Sequence, residues 1–211
     1  MDHFWVRSHV SAQSIIALGG NSVDSVHIGG GAFTETIPVG YSSCIIECLG
    51  AGGSGGGSST GAGGGGGSSG SYCRTLVSVA GHAGQTFTGV AGATTGLNAN
   101  GTASTCVTGT GPTITSMSAT GGNKGTAAVT TTPGTGGTAP SNATGGTQAN
   151  TAGNAGSNGT VGGGGAGATA LATLYNTVNT GGYSAGGTGG TPPAGSASNL
   201  FTTGIVNFHY F

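Results

Sequence analysis

The chain has 211 residues, of which 51 are glycine and 3% are charged; ordinary domains carry ~7% glycine and ~25% charged residues. A net charge of −1 excludes a basic stripe for nucleic-acid phosphates and a polybasic patch for membranes, and 6 prolines are too few for collagen. Val, Leu, Ile and Phe together make up only about 16% of the chain, too few for a conventional core of large side chains. Such a composition is also that of low-complexity disorder, but disordered chains usually carry net charge, and segments of ordinary character flank the glycine tract.

Residues 1–28 have ordinary composition and hold Trp5, Arg7, Asp24 and three of the histidines, His3, His9 and His27. They read as a leader or attachment segment. Phe4 and Trp5 are its candidate anchors, because large aromatics dominate interface energy. The alternative is a first strand packed on its own domain. The run Ile15-Ile16-Ala17-Leu18 is short for a secretory segment, and no stretch approaches the ~20 apolar residues of a membrane span. Synthesis in the cytosol is therefore expected. Cys44, Cys48, Cys73 and Cys106 then read as free, buried, small apolar groups, with disulfides as the alternative.

Residues 29–211 read as one glycine-rich domain. Residues 32–49 suggest two strands around a Pro38-Val39-Gly40 turn. In the second, Cys44, Ile46 and Cys48 face one way and Ile45, Glu47 and Leu49 the other. Both faces are apolar enough to be covered, with Glu47 expected at an edge or rim. Gly50 to Gly70 contains only Gly, Ser, Ala and one Thr. Strands follow at about 72–90, broken by a turn that carries His82, and at about 104–119. Residues 121–199 are again mostly Gly, Thr, Ala and Asn, and strand character returns at 204–211.

Glycines recur every third residue at Gly153, Gly156, Gly159, Gly162 and Gly165, and at Gly52, Gly55, Gly61, Gly64, Gly67 and Gly70, with Ser58 in the one missing place. Three residues per turn is the period of polyproline II, where only glycine fits a face pressed against another helix. With proline scarce, order must come from backbone hydrogen bonds between neighbours. The expected fold class is mostly β and irregular, with almost no α-helix. It combines short β-strands with a glycine-rich bundle of antiparallel polyglycine-II helices at about 50–70 and 121–199.

The stretch Ala32-Phe33-Thr34-Glu35-Thr36-Ile37-Pro38-Val39-Gly40 resembles the opening element of glycine-rich proteins from bacteriophage tails and virion surfaces. Cys44 to Gly53, with its Leu-Gly-Ala-Gly-Gly ending, resembles the next element. Gly70 to Val79 followed by Gly84-Gln85-Thr86-Phe87 resembles a third, and Gly204 to Tyr210 the closing strand. The matches come in the family's order and bracket residues 32–211. Cysteines at 44, 48 and 73 stand where the family usually has apolar or small residues. The resemblance implies a virion component made in the host cytoplasm: a tail fibre, tip adhesin or capsid spike. Its implied partners are other virion subunits, further copies of itself, and a host cell-surface protein or glycan. The rival reading is an ice-binding protein built from polyglycine-II helices.

No catalytic set emerges, so an enzyme and a cofactor are not expected. The carboxylates Asp2, Asp24, Glu35 and Glu47 are scattered, whereas acid–base work needs two that converge. Cys44 and Cys48 are four residues apart, ~13 Å along a strand, and lack the spacing of a zinc pair. The five histidines show no ligand spacing. Asn100, Asn142 and Asn158 begin glycosylation sequons, which read as chance in a Thr-rich chain. Large side chains are costly inside a glycine-spaced lattice and should be pushed to its turns or outer faces. Leu174, Tyr175 and Tyr183 are thus the candidate receptor-contact residues. The alternative is that Leu171, Leu174 and Tyr175 form a plug at one end of the domain.

Overall fold

A computed structural model describes residues 12–18, 22–94, 96–170, 184–192 and 203–211, the first of these by backbone alone. Ten strands and no helix occur among them: β1 (Ala12–Leu18), β2 (Ser22–Ile28), β3 (Gly31–Thr36), β4 (Ser43–Leu49), β5 (Tyr72–Ser78), β6 (Thr86–Ala91), β7 (Ser104–Thr108), β8 (Met117–Ala119), β9 (Ala149–Thr151) and β10 (Ile205–Tyr210). They form a six-stranded sheet in the order β1-β2-β10-β4-β5-β9 and a four-stranded sheet in the order β3-β6-β7-β8. Every pairing is antiparallel. The closing strand β10 lies between β2 and β4, so the two ends of the described chain meet in one sheet. Residues 12–18 and 22–28, counted above with the attachment segment, are the edge strand β1 and the inner strand β2 of that sheet, as the alternative of a first strand packed on its own domain expects.

Alternation along the strands sorts residues onto the two faces. Cys44, Ile46, Cys48, Cys73, Val206, Phe208 and Tyr210 from the larger sheet meet Phe33, Phe87, Cys106, Met117 and Ala119 from the smaller one in a single core. Phe208 stands at its centre. It stacks on Phe87 with centroids 5.7 Å apart and meets Phe33 edge-on at 5.9 Å, geometries that suit the ring quadrupoles. The outer face of the larger sheet buries Val26, Leu49, Tyr72 and Ile205 as a second cluster. β4 is therefore buried on both sides.

The glycine tract leaves this sandwich at one end, where β4 runs into Gly50 and β5 starts at Tyr72. Its hydrogen bonds repeat every third residue. In segment 62–71, the N–H groups of Gly63, Gly66 and Ser69 donate to the carbonyls of Thr160, Ser157 and Asn154. Those of Gly64, Gly67 and Gly70 donate to Gly190, Gly187 and Ser184, and those of Gly65, Ser68 and Ser71 to Thr126, Asn123 and Thr120. Its carbonyls at 65, 68 and 71 accept from Gly56, Gly53 and Gly50, those at 63 and 66 from Gly134 and Gly137, and those at 64 and 67 from Gly165 and Ala168. One segment is thus hydrogen-bonded on all sides to segments 50–57, 120–128, 134–140, 153–160, 163–169 and 184–191. The ring closes through Gly122 to Ala51, Thr126 to Thr135, Gly156 to Gly137, Ser157 to Ala166, Gly186 to Ala168 and Gly187 to Gly53, each an N–H donating to a carbonyl. Neighbours run both ways. Segment 62–71 is antiparallel to 50–57 but parallel to 134–140 and 163–169, so the expectation of purely antiparallel neighbours is corrected. With one segment surrounded by six, successive traverses alternate in direction, and some neighbours must then be parallel.

Close approach demands glycine at these contacts. A Cβ added at Gly50, Gly53 or Gly56 would fall well inside 3.0 Å of a carbonyl oxygen of 120–126, and one at Gly64, Gly67 or Gly70 would strike a carbonyl of 50–56. Gly153, Gly156 and Gly159 likewise face Ser69, Gly66 and Gly63. Gly162 departs from that register. It has φ +88 and open space at its Cβ position, because it forms the turn between Thr160 and Gly163.

Candidate functional site

Three groups of residues carry chemical interest. The first is a polar clamp between the sheets. Glu35 on β3 accepts hydrogen bonds from Ser25 Oγ at 2.8 Å and Tyr210 Oη at 3.2 Å, and pairs with His27 Nε2 at 2.9 Å. All four side chains are buried, and the His27 ring stacks on Phe33 at 4.2 Å. A buried carboxylate is costly unless it is hydrogen-bonded, and here donors from β2 and β10 supply the bonds. Burial pushes the Tyr210 hydroxyl pKa well above its ordinary value, with Cys44 and Glu35 nearby adding to it. The clamp borders a cavity of about 290 Å³ lined by Val23, Ser25, Thr34, Glu35, Thr36, Pro38 and Tyr210.

The second lies on the outer face of the larger sheet. Glu47 accepts from Tyr72 Oη at 2.5 Å and from Asn207 Nδ2 at 3.1 Å, and His209 Nδ1 pairs with Asp24. Glu47 is fully buried. The expectation of a rim position is therefore wrong: β4 is an inner strand, and both its neighbours offer a donor to the carboxylate. Burial, then Glu47, raises the Tyr72 hydroxyl pKa. His82 sits half-buried in its turn, with Nδ1 2.9 Å from Gln85 Oε1. In both buried groups each carboxylate is tied up by neighbouring side chains. No group of three or more His, Cys, Asp or Glu among the described residues has the geometry of a metal site.

The third is the end of the glycine tract farthest from the sandwich. The turns at 58–61, 129–132 and 160–163 converge there: Ser59 Oγ donates to the Thr130 carbonyl, Ala128 N–H to the Gly57 carbonyl and Gly63 N–H to the Thr160 carbonyl. Val129 and Val161 stand out from these turns, 68% and 76% exposed. Along the flank, Thr132, Thr135 and Thr138 are exposed at every third position. Thr126 and Thr135 share a hydroxyl hydrogen bond of 3.0 Å, and Asn123 Nδ2 donates to the Thr138 carbonyl at 3.0 Å. The candidate contact residues Leu174, Tyr175 and Tyr183, the plug residue Leu171, and the anchors Phe4 and Trp5 lie outside the described residues. Ser184, which follows Tyr183, bonds to Gly70 at the sandwich end of the tract.

The two exposed turn valines escaped the sequence reading, which looked only for side chains larger than valine. The buried clamps escaped it because their members are far apart in sequence. A scan against protein-family models finds no match for this chain, and a search of the curated proteins finds none either. No helix among the described residues is long and apolar enough to cross a membrane.

Proposed function

We propose that this chain is a structural and binding component of a bacteriophage virion, at the tail tip or as a capsid-surface spike, with a bundle of polyglycine-II helices mounted on a β-sandwich. The observation that carries the reading is the three-residue hydrogen-bond repeat around segment 62–71. A β-ladder has period two and reaches two neighbours, whereas a three-residue-per-turn helix can bond on every side. Such an element holds a rigid projection together almost without side chains, and turns on a rigid scaffold are the usual place for binding. The ordered resemblance of residues 32–53, 70–87 and 204–210 to glycine-rich phage tail and virion-surface proteins supports the same reading. Residues 1–20 would join the particle through Phe4 and Trp5. Tyr175, Tyr183 and Leu174 would meet a host protein or glycan.

Peptide mass spectrometry of purified phage particles tests the assignment; absence of the chain from every particle preparation would reject it. Deleting residues 1–11 of that segment, which precede β1, should leave a folded protein that no longer joins particles. Changing Tyr175 and Tyr183 to alanine should lower adsorption to host cells while assembly persists.

The exposed row Thr132, Thr135 and Thr138 favours a second reading, ice binding, since hydroxyls and methyls repeat there at a fixed spacing of ~9.3 Å. Thermal hysteresis in purified protein separates the two: a virion scaffold gives none.

A further inference from the structure

All four cysteines are reduced and buried, and two of them stand directly opposite each other. Cys48 on β4 is the register partner of Cys73 on β5. The Gly50 N–H to Ser71 carbonyl and Val79 N–H to Ser42 carbonyl bonds belong to the same ladder. They fix Cys48 and Cys73 as a hydrogen-bonded pair, for which Cα atoms lie ~5.5 Å apart. Disulfides are commonest at Cα separations of ~5.5–6 Å. Both side chains point into the core and are fully buried. By contrast, Cys44 is four residues from Cys48 on the same strand, and Cys106 projects from the opposite sheet.

We propose that Cys48 and Cys73 are a latent cross-strand disulfide that closes when the protein meets a peroxide. Peroxide is close to water in size and can reach thiols during brief openings of the sandwich. The two thiols are not equivalent. The neighbouring Cys73 and burial hold Cys48 well above the ordinary thiol value, and in the proposed order Cys73 attacks first. Its thiolate displaces hydroxide from hydrogen peroxide to give a sulfenic acid. Cys48 then attacks that sulfur, its proton leaves with the hydroxyl as water, and the S–S bond forms. The thiols lose two electrons in all, and the peroxide is reduced to two waters. The new bond would join the two ends of residues 49–72, which include the central segment of the glycine tract. Cross-linking the ends of a loop removes freedom from the unfolded chain, so oxidation should tighten the root of the bundle.

The test uses full-length protein, treated with a small molar excess of hydrogen peroxide and then unfolded in an alkylating reagent. Peptide mapping should find Cys48 linked to Cys73, Cys44 and Cys106 alkylated, and dithiothreitol should reverse the link. The oxidised form should melt about 5 °C higher than the reduced form. In Cys48→Ala, a dimedone-type probe should label Cys73; Cys106→Ala should still form the link, which keeps the idea testable if Cys48→Ala fails to fold. Four free thiols after peroxide treatment, a link through Cys106, or sulfinic acid in place of a disulfide would overturn the proposal.

Discussion

The sandwich and the glycine tract are held together by opposite means. In the sandwich, side chains do the work. Phe33, Phe87, Phe208 and Met117 fill the space between sheets, and residues alternate in and out with a period of two. In the tract, side chains are nearly absent from the contacts. Carbonyls and N–H groups of neighbouring segments meet at a period of three, and the positions of contact are glycine because a Cβ would overlap a neighbouring carbonyl. The two regions should therefore fail in opposite directions: the sandwich when atoms are removed, the tract when atoms are added.

The largest expected effect is in the sandwich. Phe208→Ala empties the point where Phe33, Phe87 and Tyr210 converge, and should cost about 3–5 kcal/mol, read from the urea midpoint. In the tract the reverse substitution is the damaging one. Gly66→Val places its Cβ against the Ala166 carbonyl, in the segment with neighbours on every side, and overpacking of this kind costs about 1–3 kcal/mol or more. Gly57→Ala, with open space at its Cβ position, should stay within about 0.5 kcal/mol of the parent. Equal loss in the two glycine variants would dissolve the contrast between the regions.

A smaller effect sharpens the comparison, because it removes a polar group from an apolar region. Glu35→Ala leaves Ser25, His27 and Tyr210 without their shared acceptor and should cost about 1–3 kcal/mol, measured by chemical unfolding at neutral pH. A further effect appears only in alkali. Burial, helped by Cys73 and Glu35, pushes the Cys106 thiol up to about 12, against ~8.5 in an unfolded chain. The unfolded chain therefore loses this proton first. The stabilisation is complete below the unfolded value and is lost as pH rises towards 12, with a slope of up to about 1.4 kcal/mol per pH unit. Cys106→Ala should flatten the pH dependence of unfolding across that window. An unchanged slope would show that other buried hydroxyls or thiols carry it.

Much of the β framework was legible before any coordinates. In residues 44–49 the order Cys, Ile, Ile, Glu, Cys, Leu puts apolar residues on both faces, and β4 is indeed buried on both. Proline and glycine at 38 and 40 mark the turn, where Gly40 has φ +93. The fate of Glu47 was not legible: a carboxylate on a strand suggests an edge until the partners appear, and Tyr72 and Asn207 come from strands 25 and 160 positions away. The same holds for the Glu35 clamp, whose partner Tyr210 is 175 positions distant.

The sequence by itself determined the local periods. Alternating apolar residues specify strands, because side chains point to opposite faces. Glycine at every third position specifies segments that can approach one another closely, because a Cβ at those positions would occupy the space of a neighbour's carbonyl. Tertiary structure alone decided which elements became neighbours. Nothing local in 205–210 says that this strand lies between 22–28 and 43–49, and nothing in 62–71 says that it is the segment the others surround. Glycine runs are nearly identical to one another, so composition permits many pairings. Part of the choice falls to the chain's connections, because 50–71 leaves and re-enters the sandwich through the adjacent strands β4 and β5, which sets 50–57 beside 62–71.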